Sequence, residues 1–146
     1  MNDTPTIHAS AVLIGAKAAL IRGPAGSGKS QLTWALLQGT LPFARLVADD
    51  RVLIEAHGSR LLVRPAAALA GLIEIRGLGI RRLPHEPVAA AGLLIDLAAA
   101  DADRLPVREA GQTSLMGVVL PRLAVAPGMP ALPLVLAFLG SSPAGN

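Results

Sequence analysis

The chain has 146 residues, 52% hydrophobic and 16% charged, which suits one domain with a buried core and excludes a disordered chain. The formal net charge is +3, with two Phe, one Trp and no Tyr, so there is little surface on which single-stranded nucleic acid could stack. No cysteine is present, which excludes a disulfide framework and thiolate chemistry.

Three apolar runs, Ala11 to Ile21, Val88 to Ala100 and Met129 to Leu139, are broken by Lys17, by Asp96 and by prolines. None reaches the roughly 20 apolar residues of a membrane span, so all three read as core elements. The N-terminal MNDTPTIH has no basic cluster ahead of an apolar stretch and does not resemble a signal peptide, so a cytoplasmic location is expected.

In chain order, Ala11 to Ile14 and Ala18 to Ile21 predict two strands around a turn at Gly15 to Lys17. The second runs into the Gly-rich stretch 23–30. Lys29 to Gln38 then predicts a helix, with Leu32, Ala35 and Leu36 at helical spacing and Gly39 as its stop. Arg45 to Ala48 is a short strand ending at Asp49-Asp50, and Arg51 to Glu55 with Arg60 to Val63 predicts a hairpin. Pro65 is expected to open a short helix to about Ala70. Leu72 to Arg76 is a strand closed by Gly77-Leu78-Gly79, and Arg81 to Pro87 is expected to be loop. Gly92 to Leu97 is a strand, and Ala99 to Ser114 is polar and irregular. Gly117 to Val125 is strand-like, with Pro121 implying an edge or a break. A helix from Pro130 or Pro133 to Leu139 closes the chain, and 141–146 reads as a flexible tail. The expectation is a single α/β domain over 1–146 with a mixed β-sheet.

Gly23-Pro24-Ala25-Gly26-Ser27-Gly28-Lys29-Ser30 fits the phosphate-loop pattern G-x-x-x-x-G-K-S, between a strand and a helix as that pattern requires. Glycines let backbone N–H groups turn toward phosphates at a helix N-terminus. Lys29 supplies a cation for the terminal phosphates, and the Ser30 hydroxyl is a ligand for Mg²⁺. The loop by itself names no reaction.

Phosphoryl transfer also needs a carboxylate near the metal and a base for the acceptor hydroxyl. Asp49 and Asp50 end an apolar strand, where such groups commonly sit in a phosphate-loop fold; strand-end turn formation or capping is the plainer alternative, and the upstream loop weighs against it. Glu74 alternates with Ile73 and Ile75, so it faces either solvent or a site. Arg76 beside Gly77 and Gly79 would bring a cation and close backbone to an anion. His57 and His85 carry no assignable role, and no metal-ligand spacing surrounds His8.

Taken together, His8-Ala9, the loop 23–30, Leu46-Val47-Ala48-Asp49-Asp50 and Glu74-Ile75-Arg76-Gly77-Leu78-Gly79-Ile80 resemble the catalytic domain of the HPr kinase/phosphorylase family, from His8 to about Leu139. The resemblance implies an ATP-dependent protein-serine kinase acting on HPr, a small phosphocarrier, or on its nitrogen-related relative. It also implies a reverse reaction in which inorganic phosphate attacks the seryl phosphate. The implied fold is the P-loop variant shared with phosphoenolpyruvate carboxykinase, assembled as a hexamer, in a short form without the N-terminal domain of longer members. No nucleic-acid or membrane partner is expected. By resemblance, Lys29 is the loop's catalytic lysine, Ser30 and Glu74 hold Mg²⁺, and Asp50 is the base that takes the serine proton. His8 becomes an active-site residue, and Ile73 to Arg82, including Arg81, form a motif serving both directions. Asp103-Arg104-Leu105 resembles a segment whose arginine, here Arg104, acts in the site. The loop Ala126-Pro127-Gly128-Met129-Pro130 resembles the family's R-P-G-R-N loop but lacks both arginines, and the spacing from Lys29 to the aspartate pair is longer than in long-form members. The alternatives are a nucleotide-binding regulatory module without kinase activity, or a small-molecule kinase on the same fold.

Overall fold

After the two-residue β1 (Thr6–Ile7), strands β2 (Ala9–Ile14) and β3 (Lys17–Arg22) pair antiparallel across a turn in which Gly15 has φ 63°. The computed structural model describes residues 5–104, 106 and 108–144. β3 leads through the Gly-rich loop into α1 (Lys29–Leu36). The helix stops two residues short of the expected Gln38, because the N–H groups of Leu37 and Gln38 close three-residue bonds onto Trp34 and Ala35. Strand β4 (Ala44–Ala48) then returns beside β2, followed by the hairpin of β5 (Val52–His57) and β6 (Arg60–Pro65). β7 (Leu72–Ile75) and β8 (Gly79–Arg82) form a separate two-stranded ribbon. β9 (Ala89–Asp96), β10 (Gln112–Leu115), β11 (Val118–Ala124) and α2 (Ala131–Leu139) complete the chain.

The main sheet runs β1-β5-β6-β9-β3-β2-β4, with β11 also on β9 and β10 on β11. β9 is the branch: its first residues pair antiparallel with β6 and its last with β11 in parallel, while its other edge runs parallel to β3. The sheet is therefore mixed, as expected. The C-terminal ends of β3, β9 and β11 emerge side by side, and in open α/β sheets that edge is where ligands bind.

Period-2 alternation divides the apolar strands between two cores. Val12, Ala19, Ile21, Leu93 and Ile95 meet Leu32 and Leu36 of α1 and Val135 of α2. Ala11, Leu20 and Leu94 face the other way, toward Val52, Ile54, Leu61 and Val63 of the curling sheet and Val118 and Leu120 of β11. Both faces of β2, β3 and β9 are covered, which is why these strands read as nearly unbroken apolar runs.

Three further expectations are corrected. Pro65 ends β6 instead of opening a helix; Ala66 stays extended and only a 3₁₀ turn at Ala67–Leu69 follows. Arg81 and Arg82, expected as loop, belong to the strand Gly79–Arg82, because the turn at Gly77 folds it back on β7. The stretch 99–114 holds a 3₁₀ turn at Arg108–Gly111 and β10. Pro121 does not break β11 but sits at a position paired on one side only, as the edge expectation has it. It sits where the strand passes from pairing with β10 to pairing with β9, so its missing N–H costs no ladder bond on the β9 side. α2 has Pro130 as its N-cap, which places Pro133 in the first turn, where no intrahelical N–H is needed. Leu105 of the expected D-R-L match, and Gly145 and Asn146 of the expected tail, lie outside the described residues. Among those described, no helix is long and apolar enough to cross a membrane.

Candidate active site

The loop owes its shape to a few backbone demands. Gly26 and Gly28 have φ of 81° and 97°, a region costly for residues with a Cβ. A Cβ on Gly23 would stand 2.5 Å from Ser27 Oγ and 3.0 Å from Leu97 Cβ, so only glycine fits there. α1 begins directly after Gly28 with no side-chain cap and no acidic residue in its first turn. Its positive end therefore faces the loop uncompensated, the arrangement that favours a bound anion. Lys29 Nζ donates to the Gly23 and Pro24 carbonyls at 2.9 and 3.3 Å, which holds the ammonium against the loop.

Asp49 joins three segments of the site. Ser10 Oγ on β2 and Ser30 Oγ on α1 each donate to its Oδ1 at 2.8 Å, and the Glu74 N–H of β7 donates to its Oδ2 at 3.1 Å. The carboxylate is buried, so these donors are what make its burial tolerable. Asp50 lies in a γ-turn, with the Arg51 N–H donating to the Asp49 carbonyl at 2.8 Å and φ 70° at Asp50. Its own N–H donates to Ser10 Oγ at 3.1 Å. The same serine thus fixes Asp49 and the turn that exposes Asp50. Strain of this kind, held in place by its surroundings, concentrates at functional sites.

The loop opens onto a cavity of about 940 Å³ lined by His8, Gly23, Lys29, Ser30, Asp50, Glu74 and Arg76, with Gln31, Trp34 and Ile75 completing the wall. Cations, carboxylates and an imidazole converge on one space next to a phosphate loop. Ser30, Asp49 and Glu74 offer hard oxygen donors. Among the described residues no group of three His, Cys, Asp or Glu is arranged to hold a metal alone. That donor set fits Mg²⁺, which is ordinarily held by one or two carboxylates together with phosphate oxygens and water.

The sequence pattern of the HPr serine kinase C-terminal domain family matches residues 1–84. The chain belongs to this family. It is 36% identical over 79 residues to the HPr kinase/phosphorylase of Mycoplasma mycoides subsp. mycoides SC, an alignment covering 54% of this chain and 24% of that protein. The chain thus spans about a quarter of the length of that curated relative. In fold it is similar to the HPr(Ser) kinase/phosphatase from Coxiella burnetii, with a TM-score of 0.73, 23% identity, and coverage of 90% of this chain and 86% of that one.

The matched region takes in His8, the loop, Asp49-Asp50 and the Ile73–Arg82 motif, but neither Arg104 nor the loop 126–130. The cavity gathers the same residues. His8, Lys29, Ser30, Asp50 and Glu74 line it, whereas the exposed Arg104 does not. Of the motif, Ile73 is the buried residue of β7, Glu74, Ile75 and Arg76 line the cavity, and Leu78, Ile80, Arg81 and Arg82 are exposed on the ribbon. Residue-by-residue reading missed Ser10, Gln31 and Trp34 and left Asp49 in the shadow of its neighbour. Trp34 lies four residues after Ser30, and that one-turn spacing was the available signal.

Behind the loop lies an ion-pair network. Asp96, at the end of β9, accepts from Arg22 Nε and Nη2 at 2.7 and 3.0 Å and from Arg122 Nε at 2.6 Å, while Arg122 also reaches Asp101. Burial pushes the Asp96 carboxyl up, but hydrogen bonds from Arg22 and Arg122 outweigh it and hold the group below the usual carboxylate range. Arg22 is the residue before Gly23, so this network anchors the strand that carries the loop.

Proposed function

We propose that this domain is an ATP-dependent protein-serine kinase acting on an HPr-type phosphocarrier, with Mg²⁺ as its metal. The observation that best supports this reading is the Ser30–Asp49 pair at 2.8 Å, set between the phosphate loop and the two cavity carboxylates Asp50 and Glu74. The triphosphate lies on the loop, with Lys29 on its terminal phosphates. Asp50 accepts the proton of the serine hydroxyl, the hydroxyl oxygen bonds to the γ-phosphorus, and the bond to the β-bridging oxygen breaks, releasing ADP. When bound, Mg²⁺ neutralises charge on the phosphates, and Ser30 with Asp49 or Glu74 would hold it. His8 and Arg76 border the same space and serve the acceptor or the transferred group.

By the same resemblance, the fold is the P-loop variant shared with phosphoenolpyruvate carboxykinase, 1–146 is one catalytic domain, and the protein is a cytoplasmic homo-oligomer, a hexamer in this reading. Arg104 remains a proposed active-site residue, although it does not line the cavity. Phosphorolysis of seryl-phosphorylated HPr is the weaker part of the reading, since 126–130 carries no arginine.

Incubation with ATP, Mg²⁺ and HPr from the same organism is expected to add one phosphate to a serine of HPr, read by mass spectrometry. ATP binding without transfer would overturn the kinase reading. Because the chain spans about a quarter of its curated relative, that result would favour a nucleotide-binding regulatory module.

A further inference from the structure

We propose that Ser10 is a positioning residue for the reaction, setting the direction in which the Asp50 carboxylate enters the cavity. The proposal rests on the reading of Asp50 as the base that takes the serine proton.

The pairing of β4 with β2 runs out at Ala48, which lies opposite Ala11. Asp50 is beyond that ladder, so its backbone groups need other partners. Both come from the start of β2. The Ala9 N–H donates to the Asp50 carbonyl at 3.1 Å, and the Asp50 N–H donates to Ser10 Oγ at 3.1 Å. Residues 9 and 10 thus grip the two peptide groups on either side of the Asp50 Cα. Peptide groups are planar, so fixing both of them fixes the Cα–Cβ bond between them. The single proton of the Ser10 hydroxyl has one place to go. The Asp50 N–H can only donate, so Ser10 Oγ accepts there and gives its own proton to Asp49 Oδ1, 2.8 Å away. Donation to a charged acceptor polarises the hydroxyl and strengthens the bond it accepts from Asp50. Ser10 is fully buried, out of reach of solvent that could replace the hydroxyl.

The positive φ of Asp50 explains why this one bond matters. A non-glycine residue at φ 70° carries strain of about 1–3 kcal/mol and keeps that conformation only where its surroundings impose it. Two of the restraints are purely backbone: the Ala9 N–H on Asp50, and the Arg51 N–H on the Asp49 carbonyl at 2.8 Å. A side-chain change leaves those in place. The Ser10 hydroxyl is the side-chain restraint on the Asp50 N–H, so its loss lets the turn relax and the carboxylate swing without unfolding the strand.

Seryl transfer to HPr, ATP affinity by calorimetry and amide exchange by NMR are compared in wild type, Ser10→Ala and Val12→Ala. Val12, equally buried two residues along the same strand, belongs to the apolar core and controls for lost packing. At a temperature where all three are folded, Ser10→Ala is expected to lower kcat at least thirtyfold, with the KM for HPr and the ATP affinity within threefold. Exchange of the Asp50 amide should quicken at least tenfold. Val12→Ala should keep kcat within twofold. On an Asp50→Asn background, Ser10→Ala should lower kcat less than threefold, because the group that it positions is gone. Ser10→Cys, closer in size and with a weakly accepting sulfur, gives the same readout should the alanine variant not fold. A kcat loss no greater than that of Val12→Ala, an unchanged Asp50 amide, or the full thirtyfold loss repeated on Asp50→Asn would overturn the positioning role while leaving Asp50 as the base. Absence of transfer from ATP-bound wild type would overturn both.

Discussion

Ser30 Oγ donates to Asp49 Oδ1 at 2.8 Å, joining the first turn of the helix after the loop to the end of β4. With Ser10 and the Glu74 N–H on the same carboxylate, one buried charge ties together the loop, the sheet and the β7–β8 ribbon. Asp49→Ala leaves three donors without their shared acceptor, of which Ser10 is fully buried, and a lost buried partner costs about 1–3 kcal/mol. We expect a destabilisation of about 2–4 kcal/mol by thermal denaturation and a fall of two orders of magnitude or more in seryl transfer. A variant with wild-type stability and activity would remove Asp49 from this role.

Asp50 should behave differently. It is exposed to the cavity and makes no side-chain hydrogen bond among those described. Its φ of 70° is tolerated by asparagine, so Asp50→Asn should fold like the parent. The expectation is that phosphoserine formation on HPr falls at least a thousandfold, with ATP affinity within about threefold, because a base contributes to the transition state and not to ground-state binding. Transfer at the wild-type rate would exclude Asp50 as the essential base.

The contrast between these two aspartates also marks how far the sequence could be read. The loop was legible because phosphate chemistry fixes its residue types one by one. The central strands were legible because cores on both faces leave apolar runs. An Asp-Asp pair carries no such instruction. In a continuing strand the two side chains would point to opposite faces, and only the γ-turn, held by Ser10 Oγ, decides that Asp49 turns inward while Asp50 meets the cavity. Ser10 itself was invisible, a small polar residue inside an apolar strand whose partner lies 39 positions away. β8 was hidden for a related reason: Arg81 and Arg82 are exposed, so no buried face imprints alternation on them.

Asp96 makes the domain sensitive to acid. Its carboxyl is held below the ordinary range in the folded state, so its contribution is complete above the unfolded pKa of about 3.9 and is lost as pH falls through the lower folded value. Asp96→Asn should cost about 2–3 kcal/mol at pH 7, less than for a fully buried pair because Arg22 is 37% exposed. The difference between parent and variant should shrink below about pH 4. Thermal denaturation of both at pH 7 and pH 3 checks this, and an undiminished difference at pH 3 would contradict it.

Gly23→Ala tests whether the shape of the loop depends on one missing methyl group. The added Cβ would stand 2.5 Å from Ser27 Oγ, 3.0 Å from Leu97 Cβ and 3.2 Å from the Leu97 carbonyl. The first contact is with a side chain, the last with backbone that is itself bonded to Arg22, since the Leu97 N–H donates to the Arg22 carbonyl at 2.8 Å. Removing the hydroxyl in Gly23→Ala/Ser27→Gly therefore relieves the shortest clash and leaves the other two. The single variant should lose about 1–3 kcal/mol of stability, as overpacking commonly does, and at least tenfold in tripolyphosphate affinity. The double variant should recover part of the affinity but not all of it. Full recovery would mean that Leu97 gives way freely, and no recovery would mean that the β9 end, not Ser27, sets the width of the loop.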